Sequence, residues 1–167
     1  MSTKTLDRKT ANVSRAYEAD LYGWVEDQVA LLKANEVGSI DASHITRELD
    51  DLGRSEFDKL VSAIRVVLHH LLKWDHQPDR RSRSWAATIR EHRRRIVYEL
   101  KDSPSLKPRI EEAVARAYLD AVDGAGQETG LPEASFPERC PYGWEEITLR
   151  PVAWDDDSTP KSADRFR

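Results

Sequence analysis

FDKLVSAIRVVLHHLLKW, residues 57–74, is the stretch on which the fold turns. Phe57, Leu60, Val61, Ile64, Val67, Leu68, Leu71 and Leu72 recur at intervals of three and four. A helix turns once every ~3.6 residues, so these side chains line up as one broad apolar stripe that other elements have to cover. The residue before a proline avoids helical dihedrals, so Pro78 marks the end of this helix.

Past that proline, Ser84 reads as the cap of a further helix. Trp85, Ile89, His92, Ile96 and Leu100 form its stripe, with Ala86 and Val97 beside it. A link of about nine residues favours antiparallel neighbours, so the helices at 55–74 and 84–100 are expected as the central pair. Trp74 and Trp85 then meet near the corner. Upstream, Tyr17, Leu21, Trp24, Gln28, Leu31 and Leu32 fall near one stripe, joined by Val25 and Val29, which predicts a helix over 17–33. Asp41 can cap a short helix carrying Ile45, Leu49 and Leu52, and Gly53 is expected to stop it. Ser55, with Asp58 three residues on, is expected to open the 57–74 helix.

Downstream, DSPSLKP (102–108) breaks the chain. A fifth helix from about Ser105 carries Ile110, Val114, Ala117, Tyr118, Ala121 and Val122, and is expected to fray around Gly124–Gly126. GLPEASFPERCPYGWEEI (130–147) reads as an ordered irregular strap, because Phe136, Tyr142 and Trp144 are costly to leave in water. No alternating strand pattern appears. The expected architecture is all-α: a single-domain bundle of about five helices with an irregular C-terminal strap. Residues 14–150 form the domain; 1–13 and the acidic tail 151–167 are expected to be disordered.

Composition bounds the function. The chain has 167 residues, 39% apolar and 34% charged. No apolar run approaches the ~18 residues of a membrane span. Cys140 is the only cysteine, which excludes an internal disulfide and suits a reducing, cytoplasmic compartment. Residues 18–58 hold eleven acids against three bases, whereas 78–109 hold ten bases against four acids. A basic middle in an acidic chain can attract phosphates, or can lie against the chain's own acids, which needs no partner.

Several constellations bear on chemistry. Arg80, Arg81, Ser82, Arg83 and Ser84 stand at a helix start, where unpaired N–H groups and guanidinium forks suit an anion. The plainer reading is that Ser84 caps its own helix while the arginines bond acids or water. Glu48, Asp51, His69, His70, His76, Glu91 and His92 include metal-ligand types, with Glu48, Asp51 and His70 the metal candidates. However, no His-Glu-x-x-His pattern occurs, and His69 and His70 point ~100° apart on a helix. The plainer reading is a polar network pairing Glu48 or Asp51 with Lys73 or Arg90, and a satisfied neutral His92. Cys140, flanked by proline and aromatics, reads as a buried inert thiol. Arg90, Arg93, Arg94 and Arg95 point all round a helix, and the pI is near 5.8, so nucleic acid is disfavoured as a partner. Trp24, Trp74, Trp85 and Trp144 read as core.

ELDDLG, HHLLKW, SWAATIREHR, SPSL, AYLDA, ETGL and FPERCPY occur in this order. With them the chain resembles the bacterial family called domain of unknown function 29, from about Tyr17 to Pro151. The resemblance implies an all-helical fold and, as the family's name says, no established activity. Two positions depart from it: the family often has Glu-Glu at Arg47-Glu48 and glutamine at His92. The function expected is therefore a non-enzymatic interaction or oligomerisation module, binding itself or another protein, with no cofactor and no membrane. The alternative is a metal- or phosphate-dependent enzyme, or an anion-binding protein. Its polar cluster would lie between the helices at 41–53, 55–74 and 84–100, with Glu48, Asp51, His70, Lys73 and Glu91 as catalytic candidates.

Overall fold

The computed structural model describes residues 17–153, and among these all regular structure is helical. We label the α-helices α1 (Leu21–Lys33), α2 (Ala42–His76), α3 (Arg83–Asp102), α4 (Ile110–Thr129) and α5 (Trp144–Leu149). Short 3₁₀ turns at Val37–Ser39, Pro78–Arg80, Pro104–Arg109 and Glu133–Ser135 join them. The all-α expectation therefore holds. That for residues 1–13 lies outside the described residues, as does most of that for the tail.

The expected helices at 41–53 and 55–74 are one helix. Gly53 and Ser55 lie inside the 35-residue α2, and neither stops nor starts anything. Glycine in a helix interior costs about 1 kcal/mol relative to alanine, a small sum against the packing of the rest of α2. A Cβ added at Gly53 meets nothing within 4 Å. Gly53→Ala is accordingly expected to stabilise the protein by about 0.5–1 kcal/mol, read as a higher midpoint in urea with an unchanged slope. A glycine needed as a stop would give the opposite sign.

The chain divides into two compact units between Arg54 and Ser55. In the first, Asp20 caps α1 by accepting from the Gly23 N–H at 2.9 Å. Asp41 caps α2 as expected, accepting from the His44 N–H at 3.3 Å. Trp24 and Gln28 are the buried residues of α1.

The second unit holds one core. Leu60, Ile64, Val67, Leu68, Leu71 and Leu72 of α2 are fully buried. Ala86, Ile89 and Ile96 of α3 and Ile147 of α5 close against them. One ring contact and two longer-range electrostatic interactions show that α2 and α3 run antiparallel. Trp85 stands against His70 with ring centroids 6.5 Å apart, the charge of Arg65 acts on His92, and that of Glu99 acts on Lys59. The pairing puts His70 level with Trp85, one turn nearer the corner than Ile89.

α4 presents Ala113, Ala117, Ala121 and Ala125, four buried methyls one turn apart. Small side chains let a helix approach its neighbour closely, and Gly124 extends this: a Cβ there would stand 2.9 Å from His69 Nδ1. The glycines expected to fray the helix are thus packing positions, and α4 continues to Thr129. Gly130, at φ 71° in the left-handed region, closes it. The strap is ordered as expected. Tyr118 donates to the Pro137 carbonyl at 2.6 Å. Asp75 at the end of α2 accepts from Tyr142 at 2.9 Å and from both arms of the Arg150 guanidinium at 2.8 and 2.6 Å. Burial pushes the Asp75 carboxyl up, but these donors outweigh it and hold it below the ordinary range. Val152 is buried with the core.

Candidate functional site

One arginine of the basic corner is held by a carbonyl of the chain itself. Arg81 donates through Nε to the Trp74 carbonyl at 2.8 Å, and its guanidinium lies 5.2 Å from the Trp74 ring centre. The cap of α3 is Ser82, not Ser84: the Ser82 hydroxyl accepts from the Trp85 N–H at 3.3 Å and lies 2.9 Å from that of Ser84. Arg80 is exposed on its 3₁₀ turn, and Arg83 is exposed at the start of α3. Within the arginine run of α3, Arg93 turns inward. Its Nε donates to the Ile147 carbonyl at 2.7 Å. Its two terminal nitrogens reach Arg150 at 2.6 Å and Glu146 at 2.9 Å.

Lys73 is buried, at 6% exposure. Its ammonium pairs with Glu128 of α4 and sits 4.2 Å from the Trp85 ring centre. His69 Nε2 lies 3.3 Å from the other oxygen of Glu128. The Lys73 hydrogen bond, with His69 assisting, holds the Glu128 carboxyl below the ordinary range. His70 stacks at an angle beside His69, centroids 5.1 Å apart, with Nδ1 3.2 Å from the Val66 carbonyl. Burial, then the neighbouring His69 and Lys73, push His70 down to about 4. Burial also lowers His69, against the pull of Glu128. This is a half-buried polar network: Lys73 and His69 are buried, the Glu128 carboxylate is 55% exposed, and the cation has that carboxylate and an aromatic face, the condition for burying a charge.

The sequence assigned these partners differently. It paired Lys73 with Glu48 or Asp51, whereas Glu48 accepts from the Tyr17 hydroxyl and Asp51 lies 3.3 Å from Arg54, both in the first unit. Glu48 belongs to the first unit and His70 to the second. Glu91 is exposed on α3. Among the described residues no three His, Cys, Asp or Glu side chains gather where a metal ion could sit. His92 is not the satisfied histidine expected, since its buried Nδ1 has no hydrogen-bond partner. Glu128 was missed, although Ala121, Ala125 and Glu128 continue one helical stripe. His76 bonds the Leu72 carbonyl at 2.9 Å, and the Cys140 thiol reaches that of Tyr142 at 3.6 Å. Cys140 is half-buried rather than buried, and burial raises its thiol pKa, which favours the protonated form.

In the first unit, Asp41 is a hub that composition did not flag. One carboxylate oxygen lies 2.6 Å from His44 Nδ1 and 3.4 Å from the Trp24 indole nitrogen. The other accepts from Ser43 at 2.9 Å. The Asp41 N–H donates to Gln28 at 2.7 Å. Burial raises the Asp41 carboxyl, but the bonds from His44 and Ser43 prevail and lower it. Tyr17 stacks on His44 with centroids 4.0 Å apart. These contacts tie α1 to the start of α2 by one face only.

A family model described as Domain of unknown function DUF29 matches residues 16–150. The chain belongs to the DUF29 family. No curated protein matches it, and no solved structure does. The resemblance read from the seven short motifs is thus a family membership.

Among the described residues of this DUF29 chain, two of the open surfaces are rich in apolar side chains. One is a groove of about 630 Å³ between α4 and the strap, lined in part by Val114, Tyr118, Leu119, Cys140, Tyr142 and Trp144. The other belongs to the first unit. Of twelve large hydrophobic residues exposed in the described chain, eight precede Arg54, so exposed apolar surface is concentrated there. On α1 these are Leu21, Tyr22, Val25, Val29 and Leu32. At ~100° per residue they fall within about 100° of arc, a continuous stripe. Leu49 and Leu52, 62% and 58% exposed, stand near the start of α2. Among the described residues no helix is long and apolar enough to cross a membrane.

Proposed function

We propose that this DUF29 protein is a non-enzymatic interaction module whose docking face is the apolar stripe of α1. The carrying observation is the contiguity of Leu21, Tyr22, Val25, Val29 and Leu32 on one face, alongside the strip that Trp24 and Gln28 bury. Contiguous apolar patches of this kind mark binding surfaces, whereas scattered ones do not. The surroundings specify the partner's chemistry. Residues 18–54 hold nine acids against three bases, so the complementary surface is a basic amphipathic helix. The lone thiol suits a reducing compartment, which supports a cytoplasmic reading.

Magnitudes set the strength. Fully burying a valine or leucine gains about 1.5–3 kcal/mol, and these side chains are already half-covered. Association itself costs at least about 4 kcal/mol. The contact is therefore micromolar or weaker and depends on charge. The test uses a labelled model peptide with leucine on one helical face and lysine on the other. It should bind at low salt, and Val25→Glu with Val29→Glu should weaken binding at least about tenfold without moving the melting temperature. Equal binding by the variant, or equal binding of a glutamate-faced peptide, sinks the reading.

A further inference from the structure

We propose that the partner of the α1 face is a second copy of this chain, which presents the basic stripe of its α3. The inference rests on reading the α1 face as a docking surface. Arg90, Arg94, Val97 and Lys101 are all exposed, and at ~100° per residue they fall within about 60° of arc, with Tyr98 beside them. Val97 and Tyr98 are 60% and 59% exposed, large apolar surfaces set among cations. Arg93 is not part of this stripe, since its guanidinium is spent on the carbonyls of α5. The α1 stripe, Leu21 to Leu32, and the α3 stripe, Arg90 to Lys101, each span about 16 Å of helix.

Charge decides between the ways two copies can meet. Two α1 faces packed on each other would bring two acidic units together, and like charges across an interface oppose association. An α1 face on a partner copy's α3 sets acids against arginines and apolar side chains against Val97 and Tyr98. Such a contact joins two different patches, so it is heterologous: it builds rings or chains and does not stop at a two-fold dimer.

The experiment is sedimentation over a concentration series with two surface variants. One breaks the α1 face, Val25→Glu with Val29→Glu. The other breaks the α3 face, Arg94→Glu with Tyr98→Glu. The wild type should rise beyond dimer mass with concentration and fall back as salt is added. Each variant alone should be monomeric with an unshifted melting temperature. Mixed together, they should form a one-to-one dimer and go no further, because one working face remains on each. Val25→Ser with Val29→Ser and Arg94→Gln with Tyr98→Gln repeat the test without new charges. A wild type that stays monomeric overturns the proposal, as does a dimer indifferent to the α3 changes. If the wild type is monomeric while the lysine-faced peptide still binds α1, the copy-to-copy contact falls and the interaction reading stands. If the peptide also fails, both fall.

Discussion

Arg93→Ala is expected to destabilise the fold by about 2–4 kcal/mol, while Arg94→Ala, the next residue in the same arginine run, should change it by less than about 0.5. The difference lies in what the two guanidinium groups touch. α5 has only six residues, and the last carbonyls of any helix lack partners within it. Arg93 supplies donors to the carbonyls of Glu146, Ile147 and Arg150, so one side chain satisfies the end of α5 and the residue after it. Its charge also faces the negative end of the helix dipole. A hydrogen bond to a charged group contributes about 1.5–3 kcal/mol, and three bonds from one half-buried side chain do not add in full. Burial, then Arg150, lower the Arg93 pKa, yet a guanidinium stays protonated at any ordinary pH. Arg93→Lys places one ammonium where a planar fork reached three acceptors, and should recover less than half of the loss. Urea unfolding read from tryptophan emission gives both numbers. Equal effects at 93 and 94 would mean that α5 holds itself in place.

How far the sequence carries can be judged from particular residues. The stripe from Phe57 to Leu72 is legible because apolar spacing directly reports which face is buried, and Ile64, Leu68, Ile89 and Ile96 are all within 1% of full burial. Gly53 was misread because a glycine's local preference is worth about 1 kcal/mol, which packing overrides along a long helix. Gly124 was misread for a related reason: its lack of a side chain serves His69, 55 positions earlier, and no local rule reports that. The arginines of 80–95 could be counted but not assigned. Arg93 and Arg94 differ by one position, and only the placement of α5 makes one a cap and leaves the other in solvent. Glu128 became visible as the partner of Lys73 only once α4 was extended past Gly126. Spacing put Leu21, Val25, Val29 and Leu32 in one stripe with Trp24 and Gln28, but periodicity cannot say which part of a stripe is covered, and only Trp24 and Gln28 are buried.

Stability is expected to fall by roughly 2–3 kcal/mol as pH drops from about 6.5 to about 4, with His70 the main source. The folded protein holds His70 neutral down to about 4, because burial, then His69 and Lys73, penalise its charged form. An unfolded chain has no such penalty and takes the proton near the ordinary value of about 6.5. Within that window the unfolded state binds more protons, so lowering the pH favours unfolding. The full difference in pKa corresponds to somewhat more than 3 kcal/mol, and the partial exposure of the ring reduces it. His69, also lowered, acts in the same direction, while Glu128, held below its ordinary range, adds a loss at lower pH still. His70→Gln keeps a donor within reach of the Val66 carbonyl and removes the titration. Its stability should therefore be flatter between pH 6.5 and 4 than that of the wild type, even if its stability at neutral pH is lower. Urea midpoints at half-unit pH steps measure both curves. Parallel curves would show that His70 titrates alike folded and unfolded. The His70 ring would then be as well solvated in the folded protein as in the unfolded chain.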